Sequence, residues 1–509
     1  MKKAHDKHEQ PAQISAAFVD YINSCSQDEQ TQLSAFFAEI ALCMDMPAHE
    51  TCAMLHDFQN AILYYHAIGY PLRKALRLIG SENLGDFYLR KPTEWYPLDN
   101  AAKVYPFSVS KRWMAMFRLS VHLTQKIVPE ILQLALTFTI KRFPHFAVTI
   151  REGFFWHYLD SVKRRHAIGA DPGLPCVTMD VSDSSKPLLR VLYAGNSISV
   201  EFFHVLTDGM GGTVFVKTLT AAYLRLIGYH VPADEQVLDV NAPPCAQESA
   251  NDFVKAEKVK KLSGLVDKPG LQLGGELTKP NHHYVLKWAL DCGRLKNLAA
   301  KYNTTVTALM LAMIFLACKA SIKTKRGRLQ IQVPVNMRKF YNSRTFRNFS
   351  LYCLIHEHAD SGRTFEALIK SVTAQLNQKA AKKAMNEAML LTNKAMRILG
   401  FVPLFIKNTA AQLFVSVFGD SIFTTSLSNI GVVCIPSEMA AHIDSMDLTL
   451  GPALTGKVNC ALMTLGEKTI LSVTKSTADP TFERQLNKVM ISLGLTVQER
   501  SDLRENNCA

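Results

Sequence analysis

A glycine-rich turn between a predicted strand and a predicted helix constrains this chain most. Residues 197–203 are rich in β-branched and aromatic residues and partly alternate, which predicts a strand. Residues 208–212 read Asp-Gly-Met-Gly-Gly and end that strand. Apolar side chains near helical spacing then predict a helix, at Val214, Phe215, Leu219 and Leu226. His204 therefore stands at a strand end, where rigid backbone holds it and its ring can point into a cleft.

The bulk properties predict an ordinary globular protein with more than one domain. At 509 residues the chain is too long for a single core. Hydrophobic residues make up 48% and charged residues 20% of the chain, as in typical globular proteins. The longest uncharged apolar run, residues 306–318, falls short of the roughly 18 residues that span a membrane. We therefore predict no transmembrane segment.

The N-terminus and the cysteines predict a cytoplasmic location. Residues 1–10 are polar and lack the apolar core of a secretory signal. The eleven cysteines are scattered, odd in number and without a Cys-x-x-Cys pair. That pattern favours reduced thiols over a disulfide framework or a zinc site. Residues 282–283 and 356–358 contain paired histidines without a third ligand at a recognisable spacing, so we predict no metal site.

The positive charge of the chain does not by itself indicate nucleic acid. The net charge is +13, but no long basic run is present, and Lys379, Lys382 and Lys383 form the densest helical cluster. A solvated basic face is the default interpretation. A functional basic patch would suit a polyanionic small molecule such as CoA, or an anionic membrane surface. We predict no nucleic-acid partner, and peripheral membrane contact stays open.

The pattern along the chain predicts an α/β (α+β) protein in three parts. Residues 1–92 predict a helical N-terminal segment without visible chemistry. Residues 93–275 alternate strands and helices, carry the His204 turn and end in a crossover rich in Pro, Gly and charged residues. Residues 276–509 start a second series of strands and helices, including a buried helix that begins after residues 304–307.

The pattern His204-x-x-x-Asp208-Gly209 resembles the signature of the CoA-dependent acyltransferase superfamily. This superfamily contains chloramphenicol acetyltransferase, plant hydroxycinnamoyl-type transferases, mycobacterial polyketide-associated acyltransferases and peptide-synthetase condensation domains. Further stretches are similar to bacterial alcohol acetyltransferase-like proteins and cover the chain from Trp95 onward: residues 95–103, 111–118, 333–338, 347–349 and 428–431. Many members have two adjacent histidines, and Phe203 replaces the first here.

The resemblance implies a fold and a reaction. The fold would have two chloramphenicol-acetyltransferase-like lobes, each a mixed sheet with helices, that meet at a tunnel. The reaction would move an acyl group, acetyl or longer, from acyl-CoA to a small hydroxyl or amine acceptor. His204 would be the general base, since an imidazole pKa near ~6.5 suits proton abstraction near neutrality. Acyl-CoA would be a cosubstrate, with no tightly bound cofactor. A buried structural histidine is the alternative.

Two roles are open for Asp208. It would orient His204 if the site worked like a serine-hydrolase triad. The resemblance instead implies a structural ion pair with an arginine, for which Arg338 is the candidate. Gly209 and the glycines that follow lack the Gly-Lys-Ser/Thr ending of a nucleotide loop. They favour a sharp turn with room beside the histidine.

Other candidate residues follow from the same resemblance. A tetrahedral intermediate needs hydrogen-bond donors for its oxyanion, and Ser426, Ser428 and Asn429 are candidates whose register the sequence leaves open. A surface turn is the alternative for that stretch. Arg344 and Arg347 are candidates for CoA phosphates, although Arg347 has a structural alternative. Residues 401–418 would line a substrate channel, touch lipid or form a plain core helix.

Two rival functions stay open at this point. One is a condensation-type or carrier-protein-dependent acyltransferase that uses a carrier thioester as donor. The other is a non-catalytic descendant in which the helical segment recruits a partner. The presence of both His204 and Asp208 favours an enzyme, and we expect a monomer.

Overall fold

We describe the protein from a computed structural model. It describes the following residues: 15–90, 95–110, 113–181, 183, 186–259, 269–324, 326–417, 422–453, 456–496 and 498–499. Lys111 and Arg112, which carry part of the family resemblance, lie outside the described residues, as does the predicted boundary at residues 92 and 93.

The N-terminal part of the chain is helical, as the sequence predicts. Its helices are α1 (Ala16–Ser24), α2 (Gln27–Leu42), α3 (Ala48–Ala67) and α4 (Leu72–Leu78). Helix α2 begins with a capping box, in which Ser26 accepts from the Glu29 backbone and Glu29 accepts from the Ser26 backbone. Met54, Phe58 and Ile62 are buried at a spacing of four residues, so α3 turns one apolar face inward.

The next part of the chain alternates strands and helices. Its elements are β1 (Trp95–Pro97), β2 (Met116–Leu123), α5 (Pro129–Ile140), β3 (Val148–Glu152), β4 (His157–Ser161), β5 (Ile168–Ala170), β6 (Leu189–Ala194), β7 (Ser197–Phe203) and α6 (Gly209–Leu226). Strands β6 and β7 form a hairpin, and Gly195 adopts φ 55° in its turn.

After the crossover, the rest of the chain continues from residue 284 with further strands and helices. Its elements are β8 (Tyr284–Asp291), α7 (Cys292–Lys301), α8 (Val306–Ser321), β9 (Arg328–Asn336), β10 (Ser350–His358), α9 (Phe365–Lys379), α10 (Lys382–Leu399), α11 (Leu404–Val417), β11 (Thr425–Val433), α12 (Ser437–Ala440), β12 (Ile443–Leu450), β13 (Val458–Leu465), β14 (Lys468–Lys475), α13 (Thr481–Ser492) and β15 (Gln498–Glu499). Helix α8 is the predicted buried helix, and Thr305 caps its start.

Two large mixed sheets define two lobes. The first lobe has a five-stranded sheet of order β12-β2-β7-β6-β5, in which β5 and β6 run parallel. The second lobe has a seven-stranded sheet of order β10-β9-β11-β13-β14-β8-β15, in which β11 runs parallel to both β9 and β13. A three-stranded sheet, β1-β4-β3, lies beside them. The predicted α/β class with two mixed-sheet lobes is confirmed.

The N-terminal helices pack on the first lobe and share its core. Buried residues of α1 to α4 and of the first lobe belong to one apolar cluster. The Tyr65 hydroxyl donates to the Leu226 carbonyl at 2.8 Å, and Arg165 binds the Asp57 carboxylate at 2.6 and 2.8 Å. The segment is therefore not a separate module, because its apolar face is covered by the first lobe.

Strand β12 crosses from the second half of the chain into the first lobe. It pairs antiparallel with β2, so that Asp447 lies opposite Ser120. The predicted limits assign residues 276–509 to the second lobe, and this one strand of that range pairs with the sheet of the first lobe. The crossing is stabilised by the fully buried Asp447 carboxylate, which is 2.7 Å from the Lys287 ammonium and 2.7 Å from the His122 ring.

Within the described ranges, no single helix combines the length and apolarity needed to cross a bilayer. Two helix pairs pass that test only when they are joined across bends of 84° and 118°.

Candidate active site

His204 directly follows β7, as the sequence predicts. Its backbone N–H donates to the Ala115 carbonyl at 2.8 Å, which ties the residue to the segment before β2. The neighbouring Phe203 is fully buried, whereas His204 is only partly covered. The backbone at this position is therefore rigid, and solvent still reaches part of the residue.

The His204 ring is oriented by Asn348 from the other lobe. Its Nδ1 lies 2.9 Å from the Asn348 Oδ1. The Asn348 amide nitrogen donates to the His204 carbonyl at 2.9 Å and to the Asp99 carboxylate at 3.2 Å. Because both amide hydrogens go to oxygen acceptors, Oδ1 must face the ring and Nδ1 must carry the ring proton. The Nε2 atom is then left with a lone pair.

Aromatic rings surround the His204 ring and set its proton affinity. Tyr105 stacks on it at a centroid distance of 4.7 Å, and Phe117 contacts it edge-on at 5.1 Å. Burial lowers the pKa of His204 below its usual value, although the Asp208 charge and the Asn348 hydrogen bond oppose the shift. The ring is therefore neutral at neutral pH.

Asp208 holds the turn together. One carboxylate oxygen accepts from the Gly211 N–H at 3.1 Å, so Asp208 caps the start of α6. The other accepts from the Phe349 N–H at 2.9 Å and from Arg338 at 2.8 Å. Burial alone would raise the pKa of Asp208, but Arg338 and these backbone donors lower it. In the described chain this carboxylate makes no hydrogen bond to the His204 ring.

Arg338 joins the turn to the loop of residues 345–349. Besides Asp208, its guanidinium donates to the Thr345 carbonyl at 2.8 Å and to the Arg347 carbonyl at 2.5 Å. The loop lies so close to α6 that a Cβ atom on Gly211 would overlap the Phe346 carbonyl oxygen. Gly211 therefore permits the close approach that brings Asn348 to His204.

The register of β11 shows which side chains of residues 424–429 face the first lobe. Ser428 lies beside Ala461, which belongs to the first lobe's apolar cluster, and Leu427 lies beside Cys460, which belongs to the second lobe's cluster. Past a bulge after Asn429, a Cβ atom on Gly209 would lie 2.6 Å from the Ile430 side chain. The face of β11 that carries Ser428 therefore meets the turn after His204.

The three oxyanion candidates differ in their partners. Ser426 donates to the Asn459 amide oxygen at 2.8 Å. Asn429 points toward the second lobe, where it donates to Thr307 at 2.9 Å and accepts from the Gly431 N–H at 2.8 Å. Ser428 is partly exposed, and its hydroxyl makes no hydrogen bond with the described residues. Ser428 is therefore the candidate whose hydroxyl is available to a substrate.

The two arginine candidates for CoA phosphates lie in different environments. Arg347 is 2% exposed and donates to the backbone carbonyls of Pro97 and Ser249. Its burial and backbone contacts favour the structural alternative, and a role toward CoA phosphates stays a prediction. Arg344 is exposed, and its role stays a prediction.

A cavity of about 460 Å³ opens between the β3–β4 hairpin and the end of β7. Phe203 and Pro106 are among its lining residues, and they are the chain neighbours of His204 and Tyr105. His204 itself is not one of the residues that line it. The tunnel that the resemblance implies stays a prediction.

Sequence reasoning missed three residues that surround His204. Asn348 and Asp99 both fall in stretches that resemble the family, which is the signal that marks them. Tyr105 lies just beyond such a stretch and has no signal of its own. Contacts between residues 144 positions apart, such as that between His204 and Asn348, leave no local pattern in a single sequence.

Comparison by sequence gives no relative. No protein-family model matches the chain, and no curated protein matches it.

Comparison by structure gives the fold. Polyketide synthase associated protein 5 from Mycobacterium tuberculosis superposes with a TM-score of 0.52 and 12% identity, covering 78% of this chain and 98% of its own. Trichothecene 15-O-acetyltransferase from Fusarium sporotrichioides gives 0.51 and 12%, covering 78% and 94%. The first condensation domain of the calcium-dependent antibiotic synthetase gives 0.51 and 12%, covering 79% and 96%. The chain therefore has the two-lobed fold of condensation domains and CoA-dependent acyltransferases.

Proposed function

We propose that this protein is an acyltransferase that moves an acyl group, such as acetyl, from acyl-CoA to an alcohol by direct transfer. One observation carries the proposal. His204 stands at the junction of the two lobes, with Nδ1 bound to Asn348 and Nε2 left with a lone pair. That is the state in which an imidazole accepts a proton.

In the proposed reaction His204 acts twice. Its Nε2 takes the proton of the acceptor hydroxyl while that oxygen bonds to the thioester carbonyl carbon. The carbonyl oxygen becomes an oxyanion. When the intermediate collapses, the carbon–sulfur bond breaks, and the imidazolium returns the proton to the leaving CoA thiolate. The ester and the CoA thiol are the products, and no covalent acyl-enzyme is formed.

Ser428 is the proposed oxyanion donor. It lies on the face of β11 that meets the His204 turn, and its hydroxyl is not bound to another described residue. A donor pre-aimed at the oxyanion is worth about 3 kcal/mol of barrier lowering. Ser428→Ala should therefore lower kcat on the order of 100-fold with little change in KM. A kcat equal to that of the wild type would remove Ser428 from the mechanism.

Asp208 and Arg338 are proposed as the frame of the site. The carboxylate is bound by Arg338, by the Phe349 backbone and by the start of α6. Its negative charge favours the imidazolium formed during the reaction, because opposite charges stabilise each other in a buried site.

The test uses the purified full chain with radiolabelled acetyl-CoA and longer acyl-CoA donors against a panel of alcohols and amines. His204→Ala should abolish product formation, whereas the exposed His282→Ala should leave it unchanged. Acyl-carrier-protein thioesters form a second donor arm. If only the carrier-protein thioester gave product, the donor would be a carrier protein and not CoA. If His204→Ala and the wild type transferred the acyl group equally, the proposal would be overturned. Absence of transfer from every donor would favour the non-catalytic alternative.

A further inference from the structure

Large apolar side chains are exposed together at one corner of the molecule. Phe401 is 80% exposed, Phe154 71% and Phe405 69%. We define the aromatic corner as six exposed residues: Phe154, Phe155, Ile398, Phe401, Phe405 and Ile406. Single exposed apolar residues are common, but a cluster of this kind marks an interaction surface.

Two separate segments form the aromatic corner as one surface. Phe154 and Phe155 lie at the tip of the β3–β4 hairpin, and the other four lie at the bend between α10 and α11. The Leu404 N–H donates to the Phe154 carbonyl at 2.8 Å and joins the two segments. Beneath them, the Lys407 ammonium lies 3.3 Å from the centroid of the Trp156 ring. These two contacts therefore hold the aromatic corner in a defined conformation.

Positive charge lies beside the apolar residues. Helix α10 exposes Lys394 and Arg397 in its last two turns, directly before Ile398. The hairpin also carries the acidic residues Glu152 and Asp160, whose side chains are 72% and 40% exposed. The net charge of the chain is +13, so the long-range field also favours an anionic partner.

We propose that the aromatic corner docks onto an anionic lipid bilayer. Aromatic and aliphatic side chains with lysine and arginine beside them are the composition that binds the headgroup boundary of membranes. The apolar tips would enter that boundary, while Lys394 and Arg397 face anionic headgroups. A second copy of this chain would present the same positive charge and repel the first, which argues against a dimer through this surface.

The aromatic corner is connected to the candidate active site through ring contacts. Trp156 contacts Phe107 at 6.1 Å, and Tyr105, two residues earlier, stacks on His204. The cavity beside Phe203 is also lined by Arg151 and His157 from the same hairpin. Docking would therefore place the bilayer next to the cavity. The docking itself does not depend on the proposed chemistry.

The test is sedimentation of the full chain with vesicles of phosphatidylcholine alone and of phosphatidylcholine mixed with phosphatidylglycerol. We expect binding to the mixed vesicles that weakens with salt, because surface charge attraction is screened. The double variant Phe401→Ser/Phe405→Ser should reduce partitioning on the order of 100-fold, about tenfold for each phenyl group. The matched control is Ile491→Ser, which removes an exposed apolar residue from α13.

Further variants separate the possible results. Lys394→Glu/Arg397→Glu should abolish the preference for anionic vesicles, and His204→Ala should bind as the wild type does. The proposal is overturned if the wild type binds neither vesicle, or if the phenylalanine variant binds as strongly as Ile491→Ser. It is also overturned if the wild type forms dimers that the phenylalanine variant abolishes while vesicle binding is absent.

Discussion

At the scale of single residues, Asn348 decides what His204 is able to do. Its amide nitrogen is bound to the His204 carbonyl and to Asp99, so its oxygen has one orientation and accepts the Nδ1 proton. An imidazole held in the other tautomer would present an N–H, and not a lone pair, to the acceptor hydroxyl. In the proposed mechanism Asn348 is thus a positioning residue, and this amide orients the ring where a triad would use Asp208.

Removing the amide should cost activity through kcat. In Asn348→Ala the ring loses its orientation and its fixed tautomer, and we expect kcat to fall on the order of 100-fold with KM little changed. Steady-state kinetics measure this, with the exposed Asn342→Ala as control. An unchanged kcat, with normal unfolding behaviour, would contradict the role of Asn348.

The pH dependence should report the burial of His204. The proposed mechanism requires the neutral ring, and burial lowers its pKa despite the opposing Asp208 charge. The acid limb of kcat/KM should therefore lie below pH ~6.5, the usual value. The unfolded ring takes up its proton first as pH falls, so stability from this group is lost below that pH. Asn348→Asp places a carboxylate against Nδ1 and should move the limb upward. A limb at or above the usual value in wild type would argue that His204 is not the base.

The sequence predicted part of this residue set. His204 and Asp208 stand in a recognisable local pattern, and Arg338 lies in a second stretch, so the resemblance named all three. The ion pair between Asp208 and Arg338 is present at 2.8 Å. The partners of the ring come from three distant segments, and their contact depends on how the loop of residues 345–349 folds over α6.

At the scale of secondary structure, the glycine-rich turn works because a loop of the other lobe lies against it. Helix α6 begins at Gly209, so Gly211 and Gly212 belong to the first turn of the helix. Gly211 has an ordinary helical backbone, and the reason for glycine there is contact with the Phe346 carbonyl. The sequence indicated a sharp turn with room beside it, but not what occupies that room.

Gly211→Ala should therefore harm both stability and activity. The new methyl group would overlap the Phe346 carbonyl and the Thr207 hydroxyl, and it would push the loop away from the turn. We expect a loss of about 1–3 kcal/mol in the free energy of unfolding. Urea denaturation measures it, and Gly362→Ala, at an exposed position with open space around it, is the control. Equal stability of the two variants would contradict this account of the turn.

Element types were easier to predict than their register. Apolar patterning marked β7 and the buried α8, because both elements are buried along most of their length. The register of β11 stayed open, since serine and threonine occupy both of its faces and a bulge follows Asn429. Only the pairing with β13 distinguishes Ser428 from Asn429.

At the scale of the whole molecule, the two lobes share a strand. Strand β12 leaves the second half of the chain to pair with β2, more than three hundred residues earlier. The aspartate at position 447 argues against a core strand in this segment, because an unpaired buried carboxylate is unfavourable. The sequence therefore placed the segment with its neighbours. The Lys287 ammonium in the second sheet neutralises Asp447, and the His122 ring in the first lies within hydrogen-bond distance of the same carboxylate.

Asp447→Asn should test whether this ion pair holds the lobes together. Burial alone would raise the pKa of Asp447, but Lys287 and His122 hold it well below its usual range. The carboxylate therefore stabilises the fold at neutral pH, and this contribution is lost as pH falls below ~4, where the unfolded group takes up its proton. At pH 7 the variant leaves the Lys287 ammonium buried without its partner and should lose about 3–5 kcal/mol. Urea midpoints at pH 7 and at about pH 2.5 measure the difference, which should shrink at the lower pH. Asp447→Asn/Lys287→Met should recover part of the loss, and the exposed Asp360→Asn should lose little. A variant as stable as the wild type at pH 7 would mean that apolar packing alone holds β12 in the first sheet.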